Sequence, residues 1–303
     1  MQEGLIRRLQ SAVAGKVVPG GDLSDRTTYR VGGRAEALVI ASGADDLERA
    51  CRFALVEGIP LTVLGAGSNV IVPDEGIEGI VVCSAGGLEV SVSDRTVKAG
   101  AGTMLEDLIR KAAARGLGGL EPLAGIPGTV GGALVMNAGT DAGTVSGPLE
   151  RVTVLDRSGR TETVGAGELS FGYRESPFAG TGVVILSAAF RLEPADEREV
   201  LAAVDEAWTR RSRSYPLDLP SAGSVFRRPP GDYAGRLIEQ AGCKGMRIGG
   251  AAVSERHANF IVNTGGATAA DIVALIEAVR RRVRELSGVD LELEQIVLPR
   301  RPA

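Results

Sequence analysis

Short apolar runs and helical stretches alternate along the first part of the chain. Ala37–Ile40 predicts a strand, and a helix follows from about Asp45 to Glu57, with Gly58 as its C-terminal stop. Pro60–Leu64 predicts a second strand running straight into a glycine-rich loop, and Gly79–Cys83 a third. These elements make a small α/β lobe over about residues 1–84.

From residue 85 the pattern changes to β-rich segments: Leu88–Val92, Thr96–Ala99, Val152–Asp156, Thr161–Val164 and Val183–Leu192. Asp156-Arg157-Ser158-Gly159 predicts a hairpin turn between two of them. One helix interrupts the series, with capping-box spacing between Thr103 and Glu106 and with Gly116 at its end. After Glu193-Pro194 the chain becomes helical and Arg-rich. This places a boundary near 195 and divides the chain into residues 1–194 and 195–303. In the second part, Ala269–Ser287 predicts a helix with Thr268 and Asp271 as its capping pair and Gly288 as its stop. Its apolar face is Ile272, Leu275, Ile276, Val279, Val283 and Leu286. Asn259–Asn263 and Asp290–Leu298 are expected strands, and no internal repeat stands out.

The composition narrows the function classes. A chain of 303 residues with 44% apolar content can build more than one core. Its net charge of −4 argues against a nucleic-acid partner. The arginines are clustered, one group being Arg210, Arg211, Arg213, Arg227 and Arg228. The other group, Arg280, Arg281, Arg282 and Arg284, falls on a predicted helix as a solvated face. Cys51, Cys83 and Cys243 form no metal-binding or disulfide spacing, so no metal site is expected. The N-terminus lacks an apolar signal segment. The longest uncharged stretch, Pro122–Thr140, is broken by glycines and Pro127. A cytoplasmic protein with no membrane partner is the expectation.

The chemistry concentrates in three segments. Gly65-Ala66-Gly67-Ser68-Asn69 follows a strand, where glycines let backbone N–H groups approach a phosphate and Ser68 and Asn69 add donors. It lacks the third glycine of the dinucleotide fingerprint. The second loop carries Gly125, Ile126, Pro127, Gly128, Thr129, Gly131 and Gly132, followed by Asn137-Ala138-Gly139. Glycine at that density is entropically costly for ordinary packing. Two such loops predict an extended, phosphate-bearing cofactor between two lobes. The third segment, Ser221 to Pro229, sets Ser224 in a tight turn beside Arg227 and Arg228. Arg174, after Phe171-Gly172-Tyr173, and Glu294, in an alternating run, are further candidates. The only histidine, His257, has no G-x-S-x-G partner and is expected to pack or hydrogen-bond.

Taken in order, these segments resemble the UDP-N-acetylenolpyruvoylglucosamine reductase family. The most specific matches are Ser221 to Pro229, Ala234–Glu239, Gly245–Gly250 and Val253–Phe260. The resemblance implies an α+β chain: a two-lobed FAD-binding domain of the vanillyl-alcohol-oxidase/PCMH type, then a C-terminal α+β substrate-binding domain. It implies bound FAD, NADPH as hydride donor, and UDP-N-acetylglucosamine enolpyruvate as the substrate, reduced for peptidoglycan synthesis. Carried over residue by residue, the catalytic set is Arg174, Ser224 and Glu294, with Ser224 as proton donor. Arg227 and Arg228, directly after the serine, are candidates for the UDP pyrophosphate. The short spacing is similar to the family's second type. One departure stands out: Gln295-Ile296 follow the glutamate where the family usually has Val-Arg. The rival reading is another FAD-dependent oxidase or dehydrogenase of the same cofactor fold.

Overall fold

The computed structural model describes residues 1–87 and 89–299. The first sheet has the spatial order Lys16–Pro19, Ala35–Ile40, Ile77–Cys83, Leu61–Leu64. Its last three strands are mutually parallel, and Lys16–Pro19 adds an antiparallel edge. Parallel strands covered on both faces become near-continuous apolar runs, and Ile77–Cys83 is buried at every position but one. The covering helix is Ala44–Glu57, ended by Gly58 in the left-handed region (φ 63°) as expected. It begins one residue before the expected Asp45.

The second sheet is antiparallel, in the order Thr161–Gly165, Leu149–Leu155, Val184–Arg191, Thr96–Gly100, Val90–Ser93. The predicted hairpin is present, and its turn is held by Asp156 Oδ1, which accepts the N–H groups of Ser158 and Arg160. The strand expected from Leu88 starts at Val90; Leu88 itself lies outside the described residues. The predicted Thr103–Glu106 capping box does not form. Helix Leu105–Ala113 starts after Met104 with no side-chain cap. Thr103 donates instead to the Gly87 carbonyl, and the Glu106 carboxylate accepts the Gly125 N–H at 3.1 Å. Tertiary partners take the groups that local capping would use.

One apolar core spans both sheets, from Ile6 to Val204. Helix Glu197–Ser214, opened by the Asp196 side chain, feeds Val200 and Val204 into it. A second core lies under helix Ala269–Ser287 and the sheet of Arg247–Ile248, Ala251–Val253 and Ile261–Asn263. The Thr268–Asp271 box and the Gly288 stop (φ 72°) are as predicted. Leu286 is not: it is 63% exposed, because the apolar stripe ends at Val283. The expected strand over 290–298 is reduced to Ile296–Val297, parallel to Val70–Ile71, and a single bridge from Leu293 to Phe226. The segment changes partners midway, so no ladder extends along it. Tyr29, Val31 and Ile71 sit in this second core, which ties the N-terminal half to the C-terminal half. Among the described residues no helix is long and apolar enough to cross a membrane.

Candidate active site

The two glycine loops face one cavity of about 800 Å³, toward the upper end of the roughly 300–1,000 Å³ usual for small-molecule sites. Residues 65–69, 126–129, 131, 132, 138 and 139 line it. Glycine is required by contact. A Cβ on Gly65 would lie 2.5 Å from Thr129 Oγ1, and one on Gly67 (φ 64°) would lie 2.1 Å from the Arg26 carbonyl oxygen. The N–H groups of Ala66, Gly67 and Ser68 donate to no acceptor among the described residues. Successive free amides in a loop form an anion-binding concavity.

The side chains of this loop line the cavity and also bind the protein itself. Ser68 donates to the Pro127 carbonyl at 2.9 Å and Asn69 donates to the Glu294 carbonyl at 3.2 Å. They close one loop on the other and tie it to the C-terminal segment, so the backbone N–H groups and the second Asn69 Nδ2 proton remain for a phosphate. Gly125 and Asn137 do not line the cavity. Gly125 (φ 75°) makes room for Arg211, whose Cδ would be 3.0 Å from an added Cβ. Asn137 ends helix Val130–Met136 in the left-handed region, and its Nδ2 donates to the Gly172 carbonyl at 2.8 Å.

Arg174, Ser224 and Glu294 all line the same cavity. Arg174 is held at φ 55°, in a tight Gly172–Glu175 turn. Its Nη2 donates to the Gly139 carbonyl at 3.1 Å and its Nε to Glu294 at 2.9 Å. Burial pushes the Glu294 carboxyl up from its ordinary value, while the Arg174 charge opposes that rise. The serine turn and Glu294 belong to one backbone arrangement: Glu294 N–H donates to the Val225 carbonyl at 2.8 Å and Arg227 N–H to the Glu292 carbonyl at 2.8 Å. The half-buried Ser224 hydroxyl makes no hydrogen bond among the described residues.

The arginine cluster divides. Arg227 pairs with Glu292 at 2.9 Å, and Arg228 with Asp141 at 3.4 Å and over the Tyr233 ring; neither lines the cavity. Arg211 does line it, stacked over Tyr215 and without an ion-pair partner among the described residues. Its burial, with the Arg174 charge nearby, lowers its proton affinity. His257 packs against Tyr215 and Phe260 and accepts the Asn259 N–H at Nδ1, as expected of a packing residue.

Residues 215–298 match the UDP-N-acetylenolpyruvoylglucosamine reductase C-terminal domain, and residues 35–165 match an FAD binding domain. A UDP-N-acetylenolpyruvoylglucosamine reductase 2 of Symbiobacterium thermophilum is 44% identical over 96% of this chain and 95% of its own. The chain belongs to the UDP-N-acetylenolpyruvoylglucosamine reductase family. A reductase of that name from Moorella thermoacetica is 44% identical over 96% of both chains. The crystal structure of the Thermus caldophilus reductase superposes with a TM-score of 0.79 at 39% identity, covering 94% of this chain and 99% of that one. A Physcomitrella patens BBE-like 1 variant, at 15% identity and a TM-score of 0.57, shares the fold alone. The α+β architecture with an FAD-binding domain is therefore that of the reductase family.

Two residues at or beside the cavity escaped sequence reasoning. Arg211 appeared only as one of a cluster, since nothing local separates it from Arg210 or Arg213. Gln295 appeared only as a departure from the family pattern. The structure buries it to 3% exposure beside the serine turn. Among the described residues, no group of His, Cys, Asp or Glu could hold a metal ion.

Proposed function

We propose that this chain reduces UDP-N-acetylglucosamine enolpyruvate to UDP-N-acetylmuramate in peptidoglycan synthesis, with FAD bound and NADPH as hydride donor. The observation that carries the reading is a single cavity, in a chain of this family, lined by both glycine loops and by Arg174, Ser224 and Glu294. The residues present fit FAD. The three free loop amides suit its pyrophosphate, and the glycine walls leave open a surface that side chains would fill. Residues 65–69 and 126–132 would hold it. The chemistry supplied by bound FAD is two-electron hydride relay from NADPH to the substrate's C=C bond.

The protein's own groups handle charge and proton. Hydride addition at the terminal carbon leaves negative charge on the neighbouring carbon and its carboxylate. Glu294 takes Arg174 Nε and the Asn137 and Gly139 carbonyls each take one terminal N–H, which leaves one N–H on each terminal nitrogen for that carboxylate. The Nε contact supports an orienting role for Glu294. Ser224 gives its hydroxyl proton to the neighbouring carbon: the O–H bond breaks as the new C–H bond forms, and solvent reprotonates the oxygen. The free hydroxyl and the cationic surroundings of Arg174 and Arg211 support that role. Arg227 and Arg228 stay our candidates for the substrate's diphosphate, supported by the contact of Arg227 Nη2 with the Arg174 carbonyl at 3.5 Å.

The test is anaerobic mixing of the purified protein with NADPH and then with the enolpyruvyl nucleotide, while following flavin absorbance. Bleaching by NADPH followed by recovery on adding the nucleotide is expected. Recovery only with oxygen would reassign the protein to flavin oxidases of the same fold.

A further inference from the structure

Gln295 makes three side-chain hydrogen bonds in a fully buried setting. Its Nε2 donates to the Ala222 carbonyl at 3.0 Å and to the Gly223 carbonyl at 3.3 Å. Its Oε1 accepts the Tyr29 hydroxyl at 3.1 Å. Tyr29 is 0% exposed, and its burial raises the phenol's proton affinity, so it stays a neutral donor. The Tyr29 carbonyl is in turn bound by Asn263 Nδ2 at 3.0 Å.

These bonds act on the two peptide planes that flank Gly223. Peptide units are rigid, so the only freedom between those planes is the φ and ψ of residue 223. Gly223 sits at φ 74°, where glycine has broad latitude and nothing intrinsic fixes its ψ. Anchoring both carbonyls to one amide removes that latitude. The Gly223 carbonyl shares its plane with the Ser224 nitrogen and Cα, so the same anchor fixes the N–Cα axis that carries the Ser224 side chain, while the Val225 N–H, held by the Asn259 carbonyl, fixes the far side. The neighbouring residue of the Tyr29 anchor reaches the cofactor loop: the Thr28 N–H donates to the Gly67 carbonyl at 3.1 Å.

We propose that Gln295, oriented by Tyr29, is the positioning residue for Ser224, and that it registers the serine turn against the glycine loop. The proposal rests on Ser224 being the proton donor. A valine at 295, as in the usual family pattern, could make none of these bonds.

The experiment uses the FAD-loaded enzyme and separates its two half-reactions by stopped flow. Gln295→Met keeps the volume and removes all three bonds. Flavin reduction by NADPH is expected to be unchanged, while reoxidation by the enolpyruvyl nucleotide slows about ten- to a hundredfold, the scale of a small misplacement of a reacting group. The loss appears in kcat with KM unaltered, and the solvent isotope effect on reoxidation rises. Tyr29→Phe, which removes one oxygen, gives a smaller slowing of the same kind. The double variant is no slower than Gln295→Met, since Tyr29 acts through Gln295. If Gln295→Met does not fold, Tyr29→Phe still decides: normal reoxidation in that variant overturns the proposal. So does a folded Gln295→Met with both half-reactions intact or slowed equally. Ser224→Ala is run alongside. If it reoxidises normally, the reading of the serine fails and takes this inference with it. If it is blocked while Gln295→Met is normal, only the positioning role falls.

Discussion

Arg174 Nε and the Glu294 carboxylate meet at 2.9 Å although 120 residues of chain separate them. Arg174 is fixed by a strained turn, with the carbonyls of Asn137 and Gly139 behind it. Glu294 is fixed by backbone bonds to the serine turn. The pair therefore joins the glycine-loop half of the cavity to the serine half. Both side chains are mostly buried, at 20% and 12% exposure.

Arg174→Lys keeps a positive charge but loses the planar fork and the Nε contact. Turnover is expected to fall about 10²–10³-fold, as for loss of one preorganised donor to a developing anion. A steady-state assay with the enolpyruvyl nucleotide checks this, and near-normal turnover would remove Arg174 from the charge-stabilising role.

Ser224→Ala is expected to retain FAD and to accept hydride from NADPH normally. Reduction of the enolpyruvyl nucleotide should drop about 10²–10⁴-fold, the usual contribution of a positioned acid. Parent rates in both half-reactions would exclude Ser224 as proton donor.

The Glu294 carboxyl is raised from its ordinary 4.5 by burial, with Arg174 opposing. A carboxyl whose folded pKa exceeds its unfolded value binds its proton more tightly in the native state. Its stabilising contribution is full below the unfolded value and is lost as pH rises through the folded one. The melting temperature of the parent relative to Glu294→Gln should therefore decline as pH climbs from 4.5. A difference that is flat with pH, or that grows, contradicts the shift.

Gly58 and Gly67 have nearly the same φ, 63° and 64°, but only Gly67 is crowded, by Arg26 and Thr27 backbone. Gly58→Ala should cost about 1–2 kcal/mol from backbone strain and leave flavin binding intact. Gly67→Ala should cost more and lose flavin, because the loop must move. Denaturant melts and the flavin-to-protein absorbance ratio report both.

Arg211 lines the cavity without an ion-pair partner among the described residues. Arg211→Met should raise the melting temperature of the FAD-free protein by removing a desolvated charge. It should weaken binding of FAD or of the nucleotide substrate about ten- to a hundredfold, the scale of a charged hydrogen bond. Calorimetry with each ligand tells the two apart. A lower melting temperature with both affinities unchanged would mean that Arg211 serves packing alone.

Local signals carried far in this chain. The Gly58 and Gly288 stops, the Thr268–Asp271 box and the Asp156 turn depend only on neighbouring residues, and each forms as its spacing dictates. Where a distant partner competed, local inference failed. Thr103 turned to Gly87 and Glu106 to Gly125, and the 290–298 strand was divided between Phe226 and Val70. A sequence cannot show that Ser68 donates its hydroxyl proton to Pro127 or that Asn69 donates one amide N–H to Glu294.

By itself the sequence determined the α+β pattern, the two glycine loops and the three residue types around which the chemistry is built. Those features lie in composition and short-range spacing, which the chain carries before it folds. Tertiary structure alone decided which arginines face the cavity, that Glu294 grips Arg174, and that Gln295 and Tyr29 anchor the serine turn. Each is a contact between segments far apart in the chain. Such contacts are set by packing and by the need of buried polar groups for partners.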